Sequence, residues 1–125
     1  MGKNFTMLNM KLTYATPFAR FLDNVASLPT ISPAIRLDLL EEQLLNYILL
    51  ASFRGGALLV GDIISLKQFG SQATLHGRIK NLVRKGYIRL LDDGLDRRRK
   101  LVHLTTKAEN YYEQLSKCLT LVLEH

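Results

Sequence analysis

A single hairpin set among helices is the arrangement this sequence imposes. Residues 87–91 and 101–104 have β character, and Asp92-Asp93-Gly94 between them is a strong turn signal. Residues 57–60 are too few for more than one minimal strand. Elsewhere apolar residues recur at helical spacing. The expected fold class is therefore mainly α with a small β-wing.

The helices are clearly punctuated. Thr16-Pro17 reads as an N-cap followed by proline at the first helical position. Phe18, Phe21, Leu22, Val25 and Leu28 follow, and Pro29 with Ser32-Pro33 ends the element. Ahead of it, Met7, Leu8, Met10 and Leu12 suit a short helix or strap. Asp38 caps a second helix with Glu41 three residues on. Its apolar stripe is Leu40, Leu44, Leu45, Ile48 and Leu49, and Gly55-Gly56 closes it. Glu41 and Glu42 read as ordinary helix-start charges. Two short helices are expected between Val60 and Lys85. The first carries Ile63, Ile64 and Leu66 and breaks at Gly70. Ser71 caps the second, whose buried stripe is Leu75, Ile79, Leu82 and Val83. Gly86 suits the left-handed position just past its end. After the hairpin, Thr105 or Thr106 restarts a helix, and Thr106 with Glu109 would make a capping box.

Charge is as unevenly placed as the strands. The 125 residues carry 17 Lys and Arg against 11 Asp and Glu, a net charge of +6. Residues 71–107 hold ten basic and three acidic side chains, a net of +7; the other 88 residues hold seven and eight, a net of −1. Charge spread for solubility would look uniform, and a block looks like a contact surface, although a solvated face is the plain alternative. The block coincides with the helix after Ser71 and with the hairpin.

Several classes fall away on composition. Cys118 is the single cysteine, which excludes an intrachain disulfide and a cysteine-built zinc site. The three histidines, His76, His103 and His125, are scattered, and there is no Gly-rich phosphate loop or nucleophile motif, so no enzyme, metal or cofactor is expected. No apolar run reaches the roughly 20 residues of a membrane span, and no secretory signal opens the chain, so the expectation is a cytoplasmic protein with no membrane partner. Met1-Gly2 with Thr6 fits the N-myristoylation pattern and reads as a chance match. Leu123, Glu124 and His125 read as the start of a truncated affinity tag.

The order helix, turn, helix, hairpin, helix resembles the MarR family of winged-helix transcriptional regulators. The residues that carry the resemblance are Leu82-Val83-Arg84-Lys85-Gly86-Tyr87-Ile88, then Asp93-Gly94-Leu95-Asp96-Arg97-Arg98 in the wing, then Val102-His103-Leu104-Thr105 and Ala108. It covers about Asp38 to Leu119, and the wing signature is its specific part. Leu95 stands where the family often has arginine, which implies a weaker phosphate contact there. Ala108 stands where it often has glycine, a change nearly silent on a helix. The resemblance implies a winged helix-turn-helix with helical dimerisation elements at both termini. The corresponding division is 1–34 for an N-terminal dimerisation segment, 35–107 for the DNA-binding domain, 108–122 for a C-terminal dimerisation helix, and 123–125 for the tag remnant.

An α-helix fits the major groove, where its first residues face base edges. With Leu75, Ile79 and Leu82 inward, the outward positions are Gln72, Thr74, His76, Gly77 and Lys80. Gln72 can bond an adenine edge bidentately, and Thr74 can meet a base or a phosphate. His76 bonds a base when neutral and favours phosphate when protonated. Gly77 costs about 1 kcal/mol relative to alanine inside a helix. Either close approach to DNA or tight packing on the preceding helix would explain it. Ser71 and the helix N-terminus can donate to a phosphate. In the wing, Arg98 is expected to reach the minor groove, oriented by Asp96, with Arg97 on phosphate. Strand alternation sends neighbours to opposite faces, so Arg99 and Lys100 read as solvated. Arg84, Lys85 and Arg89 would position the DNA backbone.

One winged helix reads few base pairs, so a homodimer on an inverted repeat of double-stranded DNA is expected. Phe18, Phe21, Leu22 and Val25 offer one apolar face for it, and Tyr111, Leu115, Cys118 and Val122 another. Such stripes are also ordinary intrachain core, and Cys118 reads most simply as a packing residue. The resemblance further implies repression and a small phenolic or lipophilic effector, with Tyr14, Tyr47 and Tyr111 as candidate lining. The alternatives are a winged-helix module for protein assembly, or a replication or partition protein of a mobile element.

Overall fold

A computed structural model of the chain describes residues 15–29 and 36–124. The readings placed on Met7, Leu8, Met10 and Leu12, on the Met1-Gly2 pattern, and on Tyr14, Ser32-Pro33 and His125 lie outside the described residues. What is described forms two compact units, 15–29 with 111–124, and 36–110.

In the first unit, α1 is described over residues 15–26, and Thr16 and Pro17 are helical residues of it, so Thr16 does not cap it. The unit's other element is the C-terminal part of α5 (Thr106–Leu123). Asn24 Nδ2 donates to the Cys118 carbonyl at 3.1 Å. Cys118 and Val122 are buried within the chain.

The second unit contains α2 (Leu39–Phe53), α3 (Val60–Ile64), α4 (Gln72–Arg84), and the antiparallel pair β1 (Ile88–Asp93) and β2 (Asp96–Leu104). Its core is one cluster: Leu44, Leu45 and Ile48 of α2, Ile63 of α3, Leu75, Ile79 and Leu82 of α4, and Tyr87, Ile88, Val102 and Ala108 beyond them. Each aliphatic side chain so buried stabilises by about 1.5–3 kcal/mol. Val83, expected in the stripe, is exposed, because the residue after Leu82 turns away from the core by a further 100°.

The ends of the helices follow the sequence signals closely. Ser71 Oγ accepts from Thr74 N at 3.1 Å and caps α4. Gly86, at φ +86, lets Tyr87 N reach the Leu82 carbonyl at 3.0 Å and Gly86 N the Val83 carbonyl at 3.0 Å, a left-handed helix ending that a side chain would strain. Thr105 caps α5, which begins at Thr106: its hydroxyl donates to the Gly86 carbonyl at 2.6 Å and accepts from Ala108 N at 3.2 Å. The minimal strand at 57–60 is a single bridge, Leu59 to Leu101, beside a bond of 2.8 Å from Val102 N to the Leu58 carbonyl. The helix expected to break at Gly70 ends earlier, at Ser65.

Glu41 corrects its sequence reading most sharply. It completes the capping box, accepting from Asp38 N at 2.8 Å while Asp38 Oδ1 accepts from Glu41 N at 2.7 Å. Yet it is fully buried, and its Oε1 lies 2.5 Å from Lys85 Nζ. Lys85 also donates to the Arg36 carbonyl at 2.6 Å, so it holds the unit together and is not a DNA-positioning side chain. Arg78 Nε stands 2.9 Å from Asp38 Oδ2, an ion pair whose N–H is not aligned for a hydrogen bond. Lys107 lies over the Tyr87 ring, its Nζ 4.9 Å from the centroid.

Removing one partner of a buried pair strands the other's charge. Lys85→Met should lower the unfolding free energy by about 3–5 kcal/mol, and Glu41→Gln combined with it should recover part of that loss in urea titrations. Burial, and next the Glu41 charge, raise the Tyr87 phenol above its ordinary value of 10.0. Its stabilising contribution is complete below that pH and is lost as pH rises through the raised folded value. Tyr87→Phe should therefore fall less steeply in stability above about pH 10 than the parent chain.

Candidate nucleic-acid interface

α4 presents its N-terminus and one full face outward. Gln72, Ala73, Thr74, His76, Lys80 and Arg84 are exposed. Ala73, Gly77, Lys80 and Arg84 are spaced four, three and four apart, so they share one stripe opposite Leu75, Ile79 and Leu82. Ala73 escaped the sequence reading, and its position opposite the buried stripe is the signal that finds it. The centre of the outward face is thus small near its start and basic near its end. A Cβ built on Gly77 meets nothing within 4 Å, so tight packing on the preceding helix does not explain that glycine.

The polar side chains at the start of α4 are pre-set. Ser71 Oγ donates to Thr74 Oγ1 at 2.9 Å while it accepts from Thr74 N. The Thr74 hydroxyl proton is thereby left to donate outward, and the first N–H groups of the helix point out of its end. This is a place for an oxygen-rich anion, reinforced by the helix dipole. Further along, Arg84 donates to Asn81 Oδ1 at 3.1 Å, which holds its guanidinium beside the helix.

The wing departs from regular alternation. Asp93 pairs with Asp96 across a two-residue turn, Gly94-Leu95, one position later than the sequence signal suggested. Asp92 pairs with Lys100, so residues 97–99 form a bulge with no ladder partner on β1. Arg98 and Arg99 therefore do not obey the two-sided rule from which their faces were inferred, since a bulge re-aims side chains. Arg98 donates from its backbone N to Asp96 Oδ1 at 2.9 Å, and its Nε lies 3.4 Å from the same oxygen. The side chain is otherwise 92% exposed, held at its root and open at its tip. Arg99 Nε stands 3.8 Å from Asp93 Oδ2, and Lys100 pairs with Asp92. Each wing carboxylate thus sits against one basic side chain.

The remaining candidate positions divide. Within the first unit Phe18 and Leu22 are exposed, at 64% and 51%, whereas Phe21, Val25, Tyr111 and Leu115 are half-buried. Cys118 and Val122, named on the same face, are already covered inside the chain, which leaves Leu119, Leu121 and Leu123 as exposed apolar residues of α5 that the sequence reading missed. Tyr47 packs edge-on against Phe69 and Tyr111 against Tyr112, with ring centroids 6.5 and 5.1 Å apart. Neither tyrosine is among the described residues that line the two cavities below. A cavity of about 430 Å³ in the first unit is lined by Arg20, Asp23, Asn24, Leu121 and Val122. Another of about 290 Å³ in the second unit lies among Ile48, Gly56, Leu58, Leu101 and His103. No group of three or more His, Cys, Asp or Glu among the described residues is placed to hold a metal ion, and no described helix is long and apolar enough to cross a membrane.

No family model matches this sequence, and no curated protein does. Solved structures do match. S. aureus MepR bound to ethidium bromide is 18% identical with a TM-score of 0.67, over 94% of this chain and 77% of that one. A MarR-like transcriptional regulator from Thermotoga maritima is 18% identical with a TM-score of 0.61, over 90% and 76%. An S. aureus MepR–DNA complex is 20% identical with a TM-score of 0.55, over 99% and 78%. The fold is that of the MarR-like winged-helix proteins.

The open space at Gly77 gives a direct expectation. Gly77→Ala should stabilise the folded chain by about 1 kcal/mol, seen as a higher denaturation midpoint with an unchanged slope. A loss of stability would show that the position is packed after all.

Proposed function

We propose that this chain is a sequence-specific double-stranded DNA-binding transcriptional regulator of the MarR type, a repressor acting as a homodimer. The observation that carries the reading is the outward face of α4. A capped, dipole-positive N-terminus with Gln72 and Thr74 leads into a smooth Ala73–Gly77 centre and then into Lys80 and Arg84. That sequence of surfaces suits a helix lowered end-first into a major groove, with base readers at the tip and cations where the flanking phosphates pass. The wing extends the same contact to the neighbouring minor groove through Arg98, which Asp96 orients.

A fold shared with MepR, which has been solved on DNA, supports the reading. The homodimer is the economical way to reach a useful site length, because two winged helices one DNA turn apart read an inverted repeat. Phe18 and Leu22 on α1, with Leu119, Leu121 and Leu123 on α5, are exposed apolar residues available for it. A small-molecule effector fits the same scheme. MepR has been solved with ethidium bromide, and the 430 Å³ cavity between Asp23 and Val122 has the size of a ligand site.

Selection from random duplex DNA should return an inverted repeat, with sedimentation giving two chains per duplex. Affinity should fall by about 10³-fold or more between 50 and 200 mM salt if six or more phosphates are neutralised. Arg98→Ala should weaken all sequences alike and flatten the salt slope by about one, whereas Gln72→Ala should change the preference at one base position. Sequence-blind binding would reduce the protein to an architectural role. Recovery of an acidic protein with no DNA binding would replace the reading with protein assembly.

A further inference from the structure

Leu95 is 98% exposed, the highest value among the large apolar side chains of the described residues. It occupies the second position of the two-residue wing turn, and its N–H donates to Asp93 Oδ1 at 3.1 Å, which fixes the backbone of the tip. Folding gains nothing from a leucine there, since it joins no core. Single exposed leucines are ordinary on protein surfaces. The address of this one is not. It stands at the far end of the hairpin, and the two carboxylates flanking it are each set against an arginine, Asp93 against Arg99 at 3.8 Å and Asp96 against Arg98 at 3.4 Å. Pairing offsets the negative charge that would otherwise keep the tip out of a phosphate-walled groove.

Building on the DNA-binding reading above, we infer that Leu95 is a specificity-determining residue that enters the minor groove and selects A·T over G·C base pairs. The chemistry lies in what the side chain lacks. Both kinds of base pair display acceptors on the minor-groove floor, and only G·C adds the guanine N2 amino group. An isobutyl group seated there displaces the water on that amino group and offers no acceptor in return, so the donor is left unpaired. It also needs the space that the amino group fills. Against A·T the same side chain packs on the sugar faces and the adenine edge with no stranded donor. Leucine is among the apolar side chains that minor-groove proteins insert at base steps, so entry of such a group into this groove is chemically ordinary. Arg98, rooted on Asp96 beside the turn, supplies the charge that the leucine does not.

The test uses the full chain and the duplex obtained by selection. Base pairs flanking each half-site are changed one at a time from A·T to G·C, and then to inosine·cytosine, which keeps the guanine major-groove edge but has no N2 amino group. The parent chain should lose roughly tenfold in affinity with G·C at the wing-facing position and regain it with inosine·cytosine. Leu95→Ala, a surface change with no packing to lose, should bind all three alike there while keeping its major-groove preferences. Equal binding of G·C and inosine·cytosine by the parent chain at every flanking position would overturn the inference. So would undiminished discrimination in Leu95→Ala. Failure to bind any duplex would instead overturn the DNA-binding reading itself, and this inference with it.

Discussion

The buried ion pair between Glu41 and Lys85 gathers the winged unit around the end of α4. Glu41 ties the start of α2 to it, and Lys85 Nζ reaches on to the Arg36 carbonyl. From the other direction Lys107 Nζ donates to the Lys85 carbonyl, and Thr105 Oγ1 to that of Gly86. Residues 36–41 and 105–107 thus meet at one helix ending, residues 85–86. Two charges taken out of water cost several kcal/mol, and an apolar pair of similar volume would often be as stable. What such a pair adds is direction: its bonds fix the end of α4 with respect to α2 and to the strand that follows. The direction in which the outward face of α4 points is set by that placement.

The same network changes the meaning of the charge block. A net of +7 over residues 71–107 looks like one contact surface when read as a string. In the folded chain, Lys85 is turned inward on Glu41, Arg78 faces Asp38, and Lys107 lies across Tyr87. In the wing, Arg98, Arg99 and Lys100 are each matched to a carboxylate. The outward charge is therefore more local than composition implies. It includes Lys80 and Arg84 of α4, the exposed Arg89 of β1 and the open end of Arg98, beside the exposed Leu95. A groove contact built this way relies on shape and a few placed cations more than on a general positive field.

Local signals were legible in the sequence because local chemistry determines them. Asp38, Ser71 and Gly86 each act within four residues of themselves, and each stands where its residue type demands. The hairpin and the helix order followed from the same kind of evidence. Long-range partnerships were not legible. Nothing in the spacing of Glu41 distinguishes a solvated first-turn carboxylate from a buried one, because its partner lies 44 residues away. The wing bulge was hidden for a related reason: alternation presumes an unbroken ladder, and Asp93 pairing with Asp96 breaks it. Gly77 shows the reverse gain, since the space around it removes one of two explanations that composition left equal.

The proposed binding mode is geometric, with α4 in a major groove and the wing in an adjacent minor groove on one side of a duplex. Methylation interference on the selected duplex reports both grooves in one experiment, because guanine N7 lies in the major groove and adenine N3 in the minor. The account predicts interference by N7-methylguanine inside each half-site and by N3-methyladenine at the outer flanks. The pattern should repeat about one helical turn apart, on a single face of the DNA. Interference confined to one groove, or spread evenly around the duplex, would contradict it.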